Sequence, residues 1–421
     1  MSSLISPLNK GLGALSVPVS TKEILKLDWN LLREDLQLPT AVLYREKLEH
    51  NLEWMRRFIA EYGVKLAPHG KTTMAPRLFA MQMEAGTWAI TVATVQQAVV
   101  AHQHGVKRVL MVNQLVGRPN MAAIARLLRD TKFEFYCLVD SAEQARQLGE
   151  FFSGFGRKLN VLIELGVEGG RAGVRDDEQL QRLLEALDAH KDALALCGVE
   201  IYEGVLKEEG EIRAFLRRAC NVTTRLAAEG RFAGTPILTG AGSAWFDVVA
   251  EEFTAASIAG KAEIVLRPGC YVTHDAGSYR AAQQRMEKTN EVACKLQSSL
   301  ETALHVWAYV QSIPEARKAI VGLGRRDAAF DSGLPIPALF YRPDNGGRLG
   351  NAVPTPAPAH WEVTKLMDQH GFLAIEPGDD VRVGDMIGFD ICHPCLTFDK
   401  WRVLPIVDGE FNVVDVVETY F

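Results

Sequence analysis

Several features that would have placed this 421-residue sequence in a class at once are missing. No apolar run is long enough to cross a bilayer, and the opening Met1-Ser2-Ser3-Leu4-Ile5-Ser6-Pro7 lacks the basic start and unbroken apolar stretch of a secretory leader. A cytoplasmic protein is the expectation. Nor is there a basic excess. The formal net charge is -6, whereas a protein that coats nucleic-acid phosphates needs clustered Lys and Arg. Small molecules are the expected partners, with no nucleic acid and no membrane. The seven cysteines are odd in number and scattered through apolar runs such as Phe135-Tyr136-Cys137-Leu138-Val139. They form no disulfide framework and read as buried free thiols of a reducing compartment. Only Cys395 and, more weakly, Cys270 stand where chemistry is invited. Low-complexity segments and solenoid periods are absent as well.

What is present is a rhythm. From about residue 40 to 275, short β-branched runs alternate with longer stretches of helical period, the pattern of βα units around a parallel sheet. Strands are expected at 41–44, 64–67, 89–93, 108–113, 133–139, 159–165, 196–202, 236–239 and 263–266, with helices among them at 46–62, 94–104, 142–152 and 208–229. Eight or nine such strands fit a closed (β/α)8 barrel better than an open doubly wound sheet. After about residue 285 the strands follow one another without helices, which predicts a mainly β second domain. The Pro- and Gly-rich stretch 342–358 reads as an exposed excursion within it. The expected organisation is an N-terminal segment at 1–38 packing on the β domain, an α/β barrel at 39–284 and a C-terminal β domain at 285–421.

In a βα barrel the strand C-termini face the active site, so polar residues just after a strand carry a functional prior. Lys71, in Ala67-Pro68-His69-Gly70-Lys71-Thr72-Thr73, meets that test. A lone lysine there would ordinarily be a solvated loop residue. Its neighbours argue otherwise: Gly70 lets the backbone approach a ligand closely, and His69 is counted with the cofactor-binding residues. A lysine partly desolvated there would have a lowered pKa and be fit to form a Schiff base. Two further turns fall on the same rim. Leu238-Thr239-Gly240-Ala241-Gly242-Ser243 offers successive amides and two hydroxyls to an anion, and Arg267-Pro268-Gly269-Cys270-Tyr271 repeats the arrangement after the next strand. Arg171 lies in the glycine-rich loop Gly169-Gly170-Arg171-Ala172-Gly173, where it meets a cofactor oxygen or, more plainly, pairs with a surface carboxylate. An imine-forming lysine and a double phosphate cradle are what pyridoxal 5'-phosphate requires.

The series Leu38-Pro39-Thr40-Ala41-Val42-Leu43 with Asn51, Pro68-His69-Gly70-Lys71-Thr72, Ile90-Thr91-Val92-Ala93-Thr94, Gly170-Arg171-Ala172-Gly173 and His393-Pro394-Cys395 resembles the D-serine dehydratase and D-threonine aldolase group of pyridoxal phosphate enzymes. These enzymes are built on the alanine racemase type of barrel, and the resemblance spans nearly the whole chain. It implies that Lys71 carries the cofactor, that Arg171 lies near its phenolic oxygen and that Tyr202 stands beside its ring. Thr239, Gly240, Gly242, Gly269, Cys270 and Tyr271 are the implied phosphate residues, although Cys270 stands where the dehydratases usually have Asn. A homodimer is implied too.

His393 and Cys395, two apart in a β-rich region, would project from one face of an extended segment, with Cys392 opposite. Imidazole plus thiolate suits Zn²⁺, although two protein ligands are fewer than usual. On spacing alone, a buried cysteine with a structural histidine is the plainer reading. The resemblance moves it to metal, since His-x-Cys with zinc belongs to the dehydratases and His-x-Asp to the aldolases. The expected activity is therefore a metal-assisted β-elimination from a D-3-hydroxy amino acid, with Lys71 removing the Cα proton and a 2-oxo acid and ammonia as products. The alternatives are a retro-aldol lyase, an amino acid racemase and a non-catalytic pyridoxal phosphate carrier. Asp368-Gln369-His370 also resembles a family segment near the active site, without a role assigned.

Overall fold

The computed structural model describes residues 4–256, 261–343 and 353–421. Its strands are β1 (Thr40–Tyr44), β2 (Lys65–Leu66), β3 (Ile90–Val92), β4 (Arg108–Gln114), β5 (Glu134–Val139), β6 (Leu159–Leu165), β7 (Leu194–Ile201), β8 (Ile237–Gly240), β9 (Glu263–Leu266), β10 (Leu304–Glu315), β11 (Lys318–Val321), β12 (Ile336–Tyr341), β13 (Thr355–Pro356), β14 (Glu362–Leu366), β15 (Gly371–Ala374), β16 (Met386–Asp390), β17 (Val403–Val407) and β18 (Val413–Glu418). Strands β2 to β9 form one parallel sheet in the order β2-β9-β8-β7-β6-β5-β4-β3. The ends meet: His69 bridges Thr91 in parallel, Trp88 N donates to Leu66 O at 2.7 Å and Thr91 N to Pro68 O at 2.9 Å. The expected closed eight-stranded barrel is what the chain forms, and it closes beside Lys71.

Strand alternation then layers the barrel interior. Ala67, Leu110, Val112, Leu138, Leu162, Ile237 and Val265 pack together in an apolar layer. Two residues further along their strands come Glu164, Thr239 and Arg267, with Glu200 beside them on β7, all buried. The charged layer lies just beneath the mouth. Outside the barrel, the helix Glu209–Ala228 shows why such segments wrap it: Ile212, Phe215, Leu216, Ala219, Leu226 and others at three- and four-residue spacing are buried, while Glu209 and Glu211 occupy the first turn.

One strand changes sheets. Thr40–Tyr44, expected as the first barrel strand, pairs antiparallel with β10 and parallel with β17, in the sheet of the β domain. Every one of its residues is buried, so the run has the continuous apolar look of a parallel barrel strand and its periodicity cannot tell the two sheets apart. That second sheet runs β13-β12-β16-β10-β1-β17-β18, with β11, β15 and β14 branching from β10. The expected excursion at 342–358 falls for the most part at 344–352, outside the described residues, and Thr355–Pro356 at its end pairs with β12.

The N-terminal segment covers one face of the second sheet. Ile5, Leu12, Ile24, Trp29, Leu31, Leu32 and Leu36 share a buried cluster with Val42, Tyr44, Trp307, Val403 and Val416. Backbone bonds pin it: Leu31 N donates to Phe411 O at 3.0 Å and Val413 N to Trp29 O at 2.8 Å. Among the described residues no helix is long and apolar enough to cross a membrane. Because Leu31 is fully buried there, Leu31→Ala is expected to cost about 2–5 kcal/mol of stability. The test is urea unfolding, where a lower midpoint at unchanged slope supports this packing and an unchanged midpoint contradicts it.

Candidate active site at the barrel mouth

Lys71 sits in a single 3-10 turn, Gly70–Thr72, directly after β2. Close packing demands the glycine before it: a Cβ at Gly70 would lie 2.8 Å from Ile90 Cγ2 and 2.9 Å from the Phe79 ring. The lysine is exposed within the mouth, yet the surrounding protein holds its amine below the ordinary lysine value. Lost hydration is the largest cause. Cys395 pulls the other way, and the Arg171 and Arg267 guanidiniums reinforce the depression. His69 beneath it is buried, and desolvation, Lys71, Arg267 and Arg171 together hold its imidazole neutral, with a pKa well below the ordinary value.

Arg267 forms the floor. Fully buried, it pairs with Glu200, donates through Nη2 to Ile201 O at 2.8 Å and through Nε to Thr239 Oγ1 at 3.0 Å. Burial pushes Glu200 up to about 8 against the pull of Arg267, and its Oε2 has no partner among the described residues. The Arg171 guanidinium stacks over the Tyr202 ring at 4.6 Å, so these two expected cofactor residues form one wall.

The expected phosphate turns are differently employed. Glu203, fully buried, accepts from Ala241 N at 3.0 Å, Ser243 N at 3.2 Å and Ser243 Oγ at 2.7 Å. A carboxylate of the chain itself therefore occupies two amides of the Gly240–Ser243 turn and holds Ala241 at φ +66°. Thr239 spends its hydroxyl on Val265 O at 2.8 Å and on Arg267. Tyr271 is buried with its hydroxyl 3.3 Å from Gln82 Nε2. The side chains of Thr239 and Tyr271 thus belong to the framework, which leaves only main-chain amides there to meet an anion. Gly242 lies edge-on to Tyr202, and Gly269 is wedged so tightly that a Cβ would meet Thr72 Oγ1 at 2.4 Å and His69 Cβ at 2.8 Å.

Opposite Lys71, the β domain contributes a thiol that meets one from the barrel. Cys395 Sγ lies 3.7 Å from Cys270 Sγ and 3.5 Å from Thr72 Oγ1. Either sulfur can donate in this pair; their contact is the largest cause both of the Cys270 thiol being held well above the ordinary value and of Cys395 being held well below it. The Cys395 thiolate in turn pushes His393 up to about 9, aided by Asp331, whose Oδ2 lies 2.7 Å from His393 Nδ1. The expected extended segment is not what carries this pair: Pro394 is helical at φ -56°, and Cys395 opens the short helix Cys395–Phe398. The strand ends at Asp390, and the chain has already turned before it reaches Pro394. Cys392 faces away, its Sγ 3.3 Å from Leu334 O. Among the described residues no three His, Cys, Asp or Glu side chains stand gathered as a formed metal cage.

Lys71, His69, Arg171, Tyr202, Gly269, Cys270, His393 and Cys395 therefore meet at one mouth. Asp368, Gln369 and His370 do not; they form an exposed hairpin turn between β14 and β15, where Met367 N donates to His370 O at 2.8 Å. Sequence reasoning missed Arg267, Glu200, Glu203 and Asp331 as site residues. Asp275 was missed as well, a buried carboxyl pushed up to about 6, chiefly by desolvation, near His393 and Cys395. Arg267 and Glu200 had a signal, since one directly follows a barrel strand and the other lies at the end of one; Asp275, beyond the Cys270–Val272 turn, had none. Nor had Asp331.

Comparison with known proteins decides the family. The description "Alanine racemase, N-terminal domain" matches residues 44–258, more than half of the chain. The chain belongs to the alanine racemase N-terminal domain family. Its second domain is matched by "Putative serine dehydratase domain" over residues 303–407. A D-threonine aldolase of Arthrobacter sp. is 27% identical over 348 residues, covering 81% of this chain and 80% of that one. A D-threo-3-hydroxyaspartate dehydratase of Delftia sp. is 28% identical over 169 residues, 40% of this chain and 44% of that one. The crystal structure of D-threonine aldolase from Filomicrobium marinum superposes with a TM-score of 0.74 at 26% identity, covering 93% of this chain and 97% of that chain. The resemblance drawn from the motifs is borne out, as are the fold and the expectation of a lyase.

The electrostatics of Lys71 can be read by cyanate carbamylation, followed by mass spectrometry across pH. The midpoint is expected below the roughly 10.4 of an ordinary lysine. Arg171→Gln, which removes a cation, should raise it; Cys395→Ser, which removes an anion, should lower it further. An ordinary midpoint indifferent to both substitutions would contradict the site's electrostatics.

Proposed function

We propose that this chain is a pyridoxal phosphate- and divalent metal-dependent lyase that dehydrates a D-3-hydroxy amino acid to a 2-oxo acid and ammonia. One observation carries the reading: Lys71 and Cys395, from different domains, share one mouth, with Cys395 Sγ 3.5 Å from the hydroxyl of Thr72, the residue next to Lys71, and the charge of Cys395 bearing on the Lys71 amine. The residues present fit both groups. An amine with a depressed pKa is suited to condense with an aldehyde. Around it stand the stacked Arg171 and Tyr202 and a buried imidazole whose Nδ1 has no partner among the described residues. An ionised thiol next to an imidazole oriented by a carboxylate is a donor set for zinc or a similar ion.

Bound there, pyridoxal phosphate supplies an electron sink that makes the substrate Cα–H acidic, and the metal supplies a Lewis acid for the departing hydroxyl. The chain supplies the rest. Lys71, neutral at lower pH than an ordinary lysine, takes the Cα proton. Arg171 holds the anionic edge of the ligand and, through its stack on Tyr202, fixes that wall. Arg267, clamped by Glu200, Thr239 and a main-chain carbonyl, keeps positive charge beneath the ligand without moving. The 391–395 segment brings Cys395 against Thr72 at the edge of the mouth.

A retro-aldol reading has its own support, because the D-threonine aldolase of Arthrobacter sp. matches over about twice the share of this chain that the Delftia dehydratase does. Cys395, in place of a carboxylate, supports dehydration. D-Threonine with Zn²⁺ and pyridoxal phosphate separates the two: 2-oxobutyrate and ammonia are expected, while glycine and acetaldehyde would make the enzyme an aldolase. Lys71→Ala should lower turnover by about 10²–10⁴-fold or more; a fully active variant would remove Lys71 from the chemistry.

A further inference from the structure

The two thiols at the mouth come from opposite sides. Cys395 opens the helix Cys395–Phe398 of the β domain, and Cys270 opens the 3-10 turn Cys270–Val272 after the last barrel strand. Their sulfurs are 3.7 Å apart. That is far beyond the roughly 2.05 Å of a disulfide. It is close to the separation of two thiolates on one tetrahedral zinc, which bonds of about 2.3 Å set at about 3.8 Å. Thr72 Oγ1, 3.5 Å from Cys395 Sγ, helps to seat the pair. On the far side of Cys395, His393 has its Nδ1 on the Asp331 carboxylate at 2.7 Å. This is the arrangement in which a carboxylate orients an imidazole and leaves Nε2 free for a metal. Asp275, buried nearby, is not a competing ligand through Oδ1, which accepts from Gly277 N at 2.7 Å and Tyr279 N at 3.0 Å.

We infer that Cys270 is a third protein ligand of the metal, completing a His393–Cys395–Cys270 set with one position left open. The inference rests on the metal reading proposed above and goes beyond it, since that reading needs only His393 and Cys395. The two sulfurs are preset at a bridging distance; the three side chains are not gathered as a cage without the ion, so the imidazole would have to close the set on binding. A third protein ligand makes the site the usual catalytic kind, three protein donors and a single open position. The substrate hydroxyl would then take that one position, and Cys270 would have no side-chain part in phosphate binding.

The test is zinc K-edge X-ray absorption on the holoprotein, stripped with chelator and reloaded with one equivalent of zinc. Two sulfur neighbours at about 2.3 Å are expected in the wild type, and one in Cys270→Ala, Cys270→Ser or Cys395→Ala. Zinc affinity of Cys270→Ala should fall by more than the roughly 10–100-fold that loss of an outer-shell partner brings. A single sulfur in the wild type, unchanged in Cys270→Ala, overturns the inference and leaves the two-ligand site intact. A wild type that retains no zinc overturns both. Should the Cys270 variants fail to fold, the wild-type sulfur count decides alone.

Discussion

Asp390 holds the two halves of the site together. It ends β16 and accepts from His305 Nε2 on β10 at 2.8 Å, while Arg280, on the helix that follows the last barrel strand, pairs with its other oxygen. Burial alone would raise this carboxyl; the His305 and Arg280 contacts outweigh it and hold it below the ordinary value. The anchored strand end then launches the next five residues across the barrel mouth. Ala276 N donates to Ile391 O at 2.9 Å, Thr397 Oγ1 to His393 O at 3.1 Å, and Cys395 arrives against Thr72. Other bonds, such as Tyr420 N to Met74 O at 2.9 Å and Ala303 N to Thr273 O at 2.8 Å, also join barrel and sheet; the Asp390 anchor is the one that adjoins the segment bearing Cys395.

The mouth so formed is rich in cations. Lys71, Arg171 and Arg267 face a small space in which Glu164 and Glu200 are buried, and burial raises the pKa of both carboxyls. Lost hydration is the main reason the Lys71 amine sits low; the guanidiniums add to that depression and also favour an anionic ligand. The thiol side offsets this locally, because Cys395 carries negative charge toward Lys71. In the function proposed above, the cationic half of the site takes the anion and the aldehyde and the thiol half takes the metal ion, with the lysine between them.

Much of this was legible in the sequence, for identifiable reasons. Strands and helices announce themselves by period, and a lysine after a barrel strand stands on the functional rim whatever its partner. The sheet of Thr40–Tyr44 was not legible, because a fully buried strand has no alternation to betray its neighbours. Glu203 was not legible as the occupant of the 240–243 turn, since a glycine-rich turn looks the same whether its amides face an external anion or one of the chain's own. Cys270 was read by its place in a phosphate turn, whereas its side chain answers to Cys395, more than a hundred positions away. Cys270 meets Cys395 only once the second domain has docked on the barrel, and Asp331 meets His393 only once the β domain itself has folded.

The central claim is that barrel and β domain make one site. It is tested most directly by a crystal structure of the protein loaded with pyridoxal phosphate and zinc, with anomalous data at the zinc edge. The account predicts density continuous with Lys71 Nζ and an anomalous peak beside Cys395 and His393 at the same mouth. Cofactor density elsewhere, or an anomalous peak remote from Cys395, would contradict it.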